Sequence, residues 1–348
     1  MKNTNLLIGK ISSGKTLGYM FNVVEEKIKN NENLLILDNK NEYYKRFKNE
    51  LNNAGYNTLV FNLDNTSKSN GFNPLLLPYS YYKKGNKDKA IELISEIALE
   101  IFRSDNKEVD PYWEETSANY FTAMSLILFK EGTEEEINLG SVLAMINLGE
   151  QKVGDVSVIR KYFDKLNILD SIYIAGSPTI YSPPETRGSI MSVVKQKLNK
   201  YCAKEQLLNN LCNNDINIES INSKTAIIII GNKNINKLSN ILIDQIVNYS
   251  LDNNIDFNYI LDNFQDMPKL LELNKILDRK LKLFIVVRNL EQLQAKYDKY
   301  IDSNFENVID TFTPEFNNAN LEDVSYPQAT MKEIKYFNIK EFIEHEII

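Results

Sequence analysis

The sequence predicts an α/β fold, a mostly parallel sheet whose chain is interrupted by an all-α insertion. Three observations carry that expectation. The apolar run Leu6-Leu7-Ile8 feeds Gly9-Lys10-Ile11-Ser12-Ser13-Gly14-Lys15-Thr16 and then a helical pattern. Strand-length apolar runs alternate with helical segments up to Leu63, and again from Thr225. Between about residues 87 and 200, apolar residues recur only at helical spacing.

The first element sets the chemistry. Gly9 to Thr16 fits the phosphate-binding P-loop pattern G-x-x-x-x-G-K-[ST] without a mismatch. Such a loop wraps backbone N–H groups around phosphate oxygens. Its lysine, Lys15, reaches the β and γ phosphates, and the Thr16 hydroxyl faces Mg2+. Glycines let the backbone come that close. The competing reading is a Gly/Ser turn between a strand and a helix. The order of strand, loop and helix (Leu17 to Lys29) favours the anion site, because the helix N-terminus then points at the phosphate.

Asn33 to Leu37 is the second strand, ending at Asp38-Asn39-Lys40-Asn41-Glu42. A helix follows from Glu42 to Ala54, stopped by Gly55, and Tyr56 to Leu63 alternates into a third strand. Gly71-Phe72-Asn73-Pro74-Leu75 closes this section, since Gly and Pro forbid a continuing ladder. Helical periodicity then covers Ala90 to Phe102 and Tyr112 to Phe129, with further helices expected over Leu139 to Leu148 and Val156 to Leu166. Ser182 to Gly188 breaks the pattern before a helix from Ser189 to Tyr201. Its Lys195, Lys197 and Lys200 read by default as a solvated face, with a DNA contact as the alternative.

The α/β pattern resumes at Thr225 to Gly231, followed by a helix from Lys237 to Ser250 and a strand from Phe257 that ends in Asp262. A P-loop site needs a second strand, expected beside the first, ending in an acid that holds the water shell of Mg2+. Taken alone, Asp262 reads equally well as a turn residue. Paired with the P-loop, it and Thr16 become the expected metal-holding pair. Leu270 to Leu277 reads as helix, Leu281 to Val287 as strand and Leu290 to Tyr300 as helix. The expected organisation is a sheet domain over 1–86 and 201–348, with the helical insertion over 87–200.

Composition narrows the functions. A chain of 348 residues, 43% hydrophobic and 25% charged, has room for about two folded units. No run is long enough to cross a bilayer and no signal peptide is evident, so a soluble, cytoplasmic protein is expected. Cys202 and Cys212 have no CxxC spacing, and His345 is the one histidine. Cys/His metal sites and Ser-His-Asp or Cys-His catalysis therefore lack parts, and the thiols are expected to be free. A net charge of −7 is not the footprint of a protein that coats nucleic acid with a basic surface. If DNA is a partner, a local patch assembled from several subunits must grip it.

Together these landmarks resemble the type IV secretion coupling proteins, the TraG/TraD-like conjugative DNA-transfer ATPases, from about Leu6 to Asp310. Beyond the P-loop, the family's D-P-K-G-E stands here as Asp38-Asn39-Lys40-Asn41-Glu42, and its S-x-x-x-N-P-L as Ser69 with Phe72-Asn73-Pro74-Leu75. Its D-x-F/Y-W stands as Asp110-Pro111-Tyr112-Trp113 followed by Ala118, its L-L-D-E-F as Ile260-Leu261-Asp262-Asn263-Phe264, and its Q-L-x-x-x-Y-G as Gln292-Leu293 through Tyr297-Asp298. The resemblance implies a RecA-like P-loop NTPase that binds ATP and Mg2+. It also implies a homo-hexamer around a DNA channel, with a relaxase or relaxosome and membrane-embedded secretion proteins as partners. Family members usually carry N-terminal membrane helices. The chain is read as a short form without them, attached to the inner face of the membrane only through partners.

Two departures fall on the chemistry. The family's glutamate after the strand-end acid, which activates the attacking water, is Asn263 here; an amide orients a water but cannot take its proton. The family's glutamine at the end of the next strand is Arg288, a fixed positive charge. Arg279 lies near the family's position for an arginine that reaches a neighbour's nucleotide. The expected catalytic set is thus Lys15, Asp262, Asn263, Arg288 and Arg279. Alternatives are a hydrolysis-impaired nucleotide-binding adaptor of a mobile element, which Asn263 and Arg288 motivate, and an FtsK- or HerA-like DNA pump, which the helical insertion opposes.

Overall fold

The computed structural model describes residues 3–10, 15–104, 110–231, 237–309 and 324–346. Seven strands among them form one sheet: β1 (Thr4–Ile8), β2 (Asn33–Leu37), β3 (Asn57–Asn62), β4 (Thr225–Ile230), β5 (Phe257–Leu261), β6 (Lys282–Val287) and β7 (Asn307–Ile309). Their order is β3-β4-β2-β5-β6-β1-β7, and every pairing is parallel. Every residue of β1, β2, β4 and β5 is buried, which explains their mostly apolar sequences: a parallel strand is covered on both faces. Each buried Ile or Leu contributes roughly 1.5–3 kcal/mol. Helices Phe21–Lys29 and Glu42–Asn53 cover one face, where Phe21, Val24, Tyr43 and Phe47 pack on Leu34, Ile36, Ile228 and Ile260.

One expectation is corrected here. The strand ending in Asp262 is not beside β1, because β6 lies between them and pairs with both. The apolar pattern fixes which segments are strands. Their lateral order depends on the helical crossovers, which no local residue pattern encodes.

Two units emerge from the contacts, Met1–Asn70 with Asp215–Ala329 and Gly71–Asn214 with Thr330–Ile348. The first holds the sheet. The second is helical, with one two-residue hairpin, Lys152–Val153 against Val156–Ser157. Its central helix is Pro111–Glu131, capped by the Asp110 carboxylate on the N–H of Tyr112 at 3.0 Å and buried from Thr116 to Phe129 except at Asn119. Helix Ser171–Ile180 approaches so closely at Gly176 that an added Cβ would lie 2.4 Å from the Phe163 ring.

The helical unit is wider than 87–200. It takes in helices Leu76–Lys83 and Glu205–Cys212, and the chain returns to it at Thr330. Residues 330–338 form neither helix nor strand and are held through their backbone by buried side-chain amides. The Asn209 Nδ2 and Asn213 Nδ2 groups both donate to Thr330 O at 2.8 Å, Asn209 Oδ1 accepts from Lys332 N at 2.9 Å, and Asn138 Nδ2 donates to Lys335 O at 3.0 Å. The closing helix Ile339–Glu346 packs on helices Leu139–Gly149 and Val158–Phe163.

Candidate functional site

All seven strands run in one direction, so their carboxyl ends gather on one edge of the sheet. Asp262 follows β5 directly and is 3% exposed. Its Oδ2 accepts hydrogen bonds from Thr16 Oγ1 at 2.7 Å and from the Tyr43 hydroxyl at 3.0 Å. Its Oδ1 accepts from the N–H of Asn263 at 2.7 Å. Three donors thus fix the carboxylate in one orientation.

Lys15 opens a π-helical turn, Lys15–Met20, that runs into helix Phe21–Lys29; such turns concentrate at functional sites. Its ammonium donates to the carbonyl of Lys10 at 2.7 Å and to that of Gly9. Burial holds its pKa below the ordinary lysine value. Asp262 works against that shift, while the positive charges of Lys40 and Arg288 reinforce it. A partly desolvated ammonium near these groups gains strongly from an incoming phosphate. Ile11, Ser12, Ser13 and Gly14 of the loop lie outside the described residues.

Asp38 ends β2 beside Asp262, as the register Leu37 to Leu261 requires. It is buried, and its two oxygens accept from the N–H groups of Glu42 at 2.8 Å and Tyr44 at 2.9 Å, closing the first turn of helix Glu42–Asn53. Burial lifts its carboxyl to about 7; the backbone donors oppose the shift and the Asp262 charge adds to it. Asn41 and Asn263 both take left-handed backbone, at φ 59° and 52°. The Asn39 amide donates to Asp262 O at 3.4 Å, and an added Cβ at Gly231 would lie 2.1 Å from the Asn39 Oδ1, so Gly231 leaves the room this loop occupies.

Arg288 follows β6 and therefore lies between the Lys15 and Asp262 halves of the site. Its guanidinium donates to Asp266 Oδ2 at 2.7 Å, and its N–H to Gln265 Oε1 at 3.3 Å. The sequence motifs around Asp262 and Tyr297 meet: the rings of Phe264 and Tyr297 stack at 6.0 Å. Arg279 is elsewhere. It ends helix Leu273–Asp278 just before β6, so the length of that strand, roughly 20 Å at about 3.3 Å per residue, separates it from the carboxyl edge, and it is exposed.

The structure therefore brings together Lys15, Thr16, Asp262, Asn263 and Arg288, and leaves Arg279 apart. Sequence reasoning overlooked Tyr43, whose hydroxyl reaches the site only through the packing of its helix. The donor set fits a magnesium nucleotide. A threonine hydroxyl and one carboxylate share a hydrogen bond, and no group of three or more His, Cys, Asp or Glu among the described residues forms an all-protein metal cage. That sparse set is what Mg2+ uses when phosphates and waters supply its other ligands. Among the described residues no helix is long and apolar enough to cross a membrane.

The chain is similar to known proteins in sequence family and in fold. The family described as type IV secretory system conjugative DNA transfer matches residues 3–326. Among solved structures, the bacterial conjugative coupling protein TrwBdeltaN70, in a trigonal form with sulphate, superposes with a TM-score of 0.61 at 12% identity, over 88% of this chain and 69% of that one. Plasmid coupling protein TrwB with the ATP analogue ADPNP gives 0.59 at 11% identity, over 88% and 70%. TrwB with ADP and Mg2+ gives 0.59 at 12% identity, over 88% and 70%. At this identity the likeness establishes the fold. A comparison with curated proteins finds no match.

Proposed function

Because this chain belongs to the type IV secretory system conjugative DNA transfer family, we propose that it binds ATP with Mg2+ and couples binding and hydrolysis to the passage of DNA during conjugation. The observation that carries the reading is the 2.7 Å hydrogen bond from Thr16 to Asp262, which joins the P-loop to the strand-end acid in spite of the intervening β6. The nucleotide complexes of TrwB support the ligand class.

When bound, Mg2+ supplies positive charge to the phosphates during phosphoryl transfer. Lys15 leaves the carbonyls of Gly9 and Lys10 to bind the β and γ phosphates, and the backbone of Gly9 to Thr16 cradles them. Thr16 would offer an oxygen lone pair to the metal while its hydroxyl proton stays hydrogen-bonded to Asp262. Asn263, beside that acid, orients the attacking water. Arg288 offers positive charge from the end of β6, and Arg279, exposed and away from this site, is suited to reach a neighbouring subunit's nucleotide. A homo-hexamer around a DNA channel completes such sites. A relaxase or relaxosome and membrane secretion proteins are the partners, at the cytoplasmic face of the membrane.

Two observations favour a second reading, an adaptor that binds ATP with little turnover. Asn263 cannot take a proton, and the Arg288 guanidinium is engaged with Asp266. Phosphate release from purified protein, with Mg2+ and with or without single-stranded DNA, separates the two. The motor releases phosphate, faster with DNA. The adaptor holds ATP without release and gains release in Asn263→Glu. Absence of ATP binding would sink both.

A further inference from the structure

Tyr43 is 1% exposed, and its ring packs edge-on against Phe21 with centroids 5.3 Å apart. Phe21 begins the helix that continues from the Lys15–Met20 turn, so the ring is wedged between the P-loop helix and the sheet edge. Packing alone would be served by phenylalanine. A buried hydroxyl is costly unless it finds a partner, and this one finds Asp262 Oδ2 at 3.0 Å, the oxygen that also accepts from Thr16.

From this we propose that Tyr43 is a positioning residue for magnesium: its hydroxyl locks the Asp262 carboxylate in the orientation that the metal's water shell requires. The proposal rests on the reading of Thr16 and Asp262 as the metal-holding pair. Two features suit the tyrosine to the task. Asp38 binds the N–H groups on either side of it, at Glu42 and Tyr44, and so fixes the turn from which Tyr43 projects. A phenol hydroxyl also carries a proton to donate, and this one lies 3.0 Å from the carboxylate oxygen that accepts it. Without it, Oδ2 keeps Thr16 alone, and the hydroxyl of Thr16 must then serve both the metal and the orientation of the acid.

The test is the Mg2+ dependence of nucleotide affinity, read by fluorescence titration of a labelled ATP analogue with the metal and with chelator. Tyr43→Phe is expected to raise the Mg2+ concentration for half-effect about tenfold, the size of one hydrogen bond to a charged group. Its affinity in chelator should match wild type. Phe21→Leu disturbs the same packing but keeps the hydroxyl; it should lower the melting temperature and leave the Mg2+ requirement unchanged. An unshifted Mg2+ requirement in folded Tyr43→Phe overturns the role of Tyr43 alone. A wild-type protein whose affinity ignores Mg2+ overturns the Thr16–Asp262 reading and this proposal with it.

Discussion

Replacing Lys15 with Met keeps the length of the side chain and removes its charge. In the ligand-free protein this ammonium is buried, and its pKa is depressed chiefly by that burial. A lysine with a folded pKa below its unfolded value destabilises the fold while it is charged. The cost is full below the lowered pKa and fades as pH rises toward 10.5. At neutral pH, Lys15→Met therefore removes an unfavourable group. The hydrogen bonds lost, to the Lys10 and Gly9 carbonyls, are worth about 1–3 kcal/mol and oppose that gain. The expected melting temperature is unchanged within a few degrees, or higher. Nucleotide binding loses a charge-assisted contact of roughly 1.5–3 kcal/mol, or about ten- to a hundredfold in Kd. Calorimetric melting in chelator, with an ATP titration on the same samples, measures both quantities. A large fall in melting temperature with unchanged Kd would show that Lys15 belongs to the core and not to a ligand.

Asn263→Glu should confer phosphate release on a protein that otherwise holds ATP, if the adaptor reading is right. It should also cost roughly 1 kcal/mol in stability, because φ 52° suits asparagine better than glutamate. For Asp38, the folded carboxyl near 7 lies above its unfolded value of 3.8, so its contribution to stability is present at low pH and is lost as pH climbs between those values. In urea unfolding, the wild-type minus Asp38→Asn difference should fall by on the order of 1 kcal/mol per pH unit from pH 5 to 7; a flat difference refutes the assignment. Asn209→Ala leaves Thr330 O one donor short and Lys332 N without its acceptor, at a cost of about 2 kcal/mol. Amide hydrogen exchange over residues 330–338 should accelerate selectively.

Much of the site was legible because its chemistry is spelled locally. Lys15 and Thr16 sit in a loop whose spacing has one well-known use, and Asp262 ends a strand whose apolar run is unmistakable. The meeting of Thr16 with Asp262 could be anticipated from that chemistry, but the placement of β6 between their strands could not, since lateral order is set by crossovers. Helices Leu76–Lys83 and Ser171–Ile180 escaped the periodicity because they contain Pro78 and Pro178, which read as breakers. The three residues of β7 are too few to show alternation. Residues 330–338 carry no periodic signal because their anchors are amides more than a hundred positions away in sequence. Tyr43 looked like any apolar helix residue, as only tertiary packing reveals what its hydroxyl touches.

The turn at Asn41 carries a mechanical implication. Where the related D-P-K-G-E pattern has glycine, Asn41 holds left-handed backbone with a side chain attached, and Asn31 and Asn254 do likewise at other turns. Glycine there would leave the unfolded chain more freedom to lose and the folded loop more shapes to sample. Asparagine stiffens the corner that follows Asp38. The loop that presents Asp38 accordingly holds its shape more firmly than a glycine counterpart would, and so does the bed it makes for the first turn of helix Glu42–Asn53.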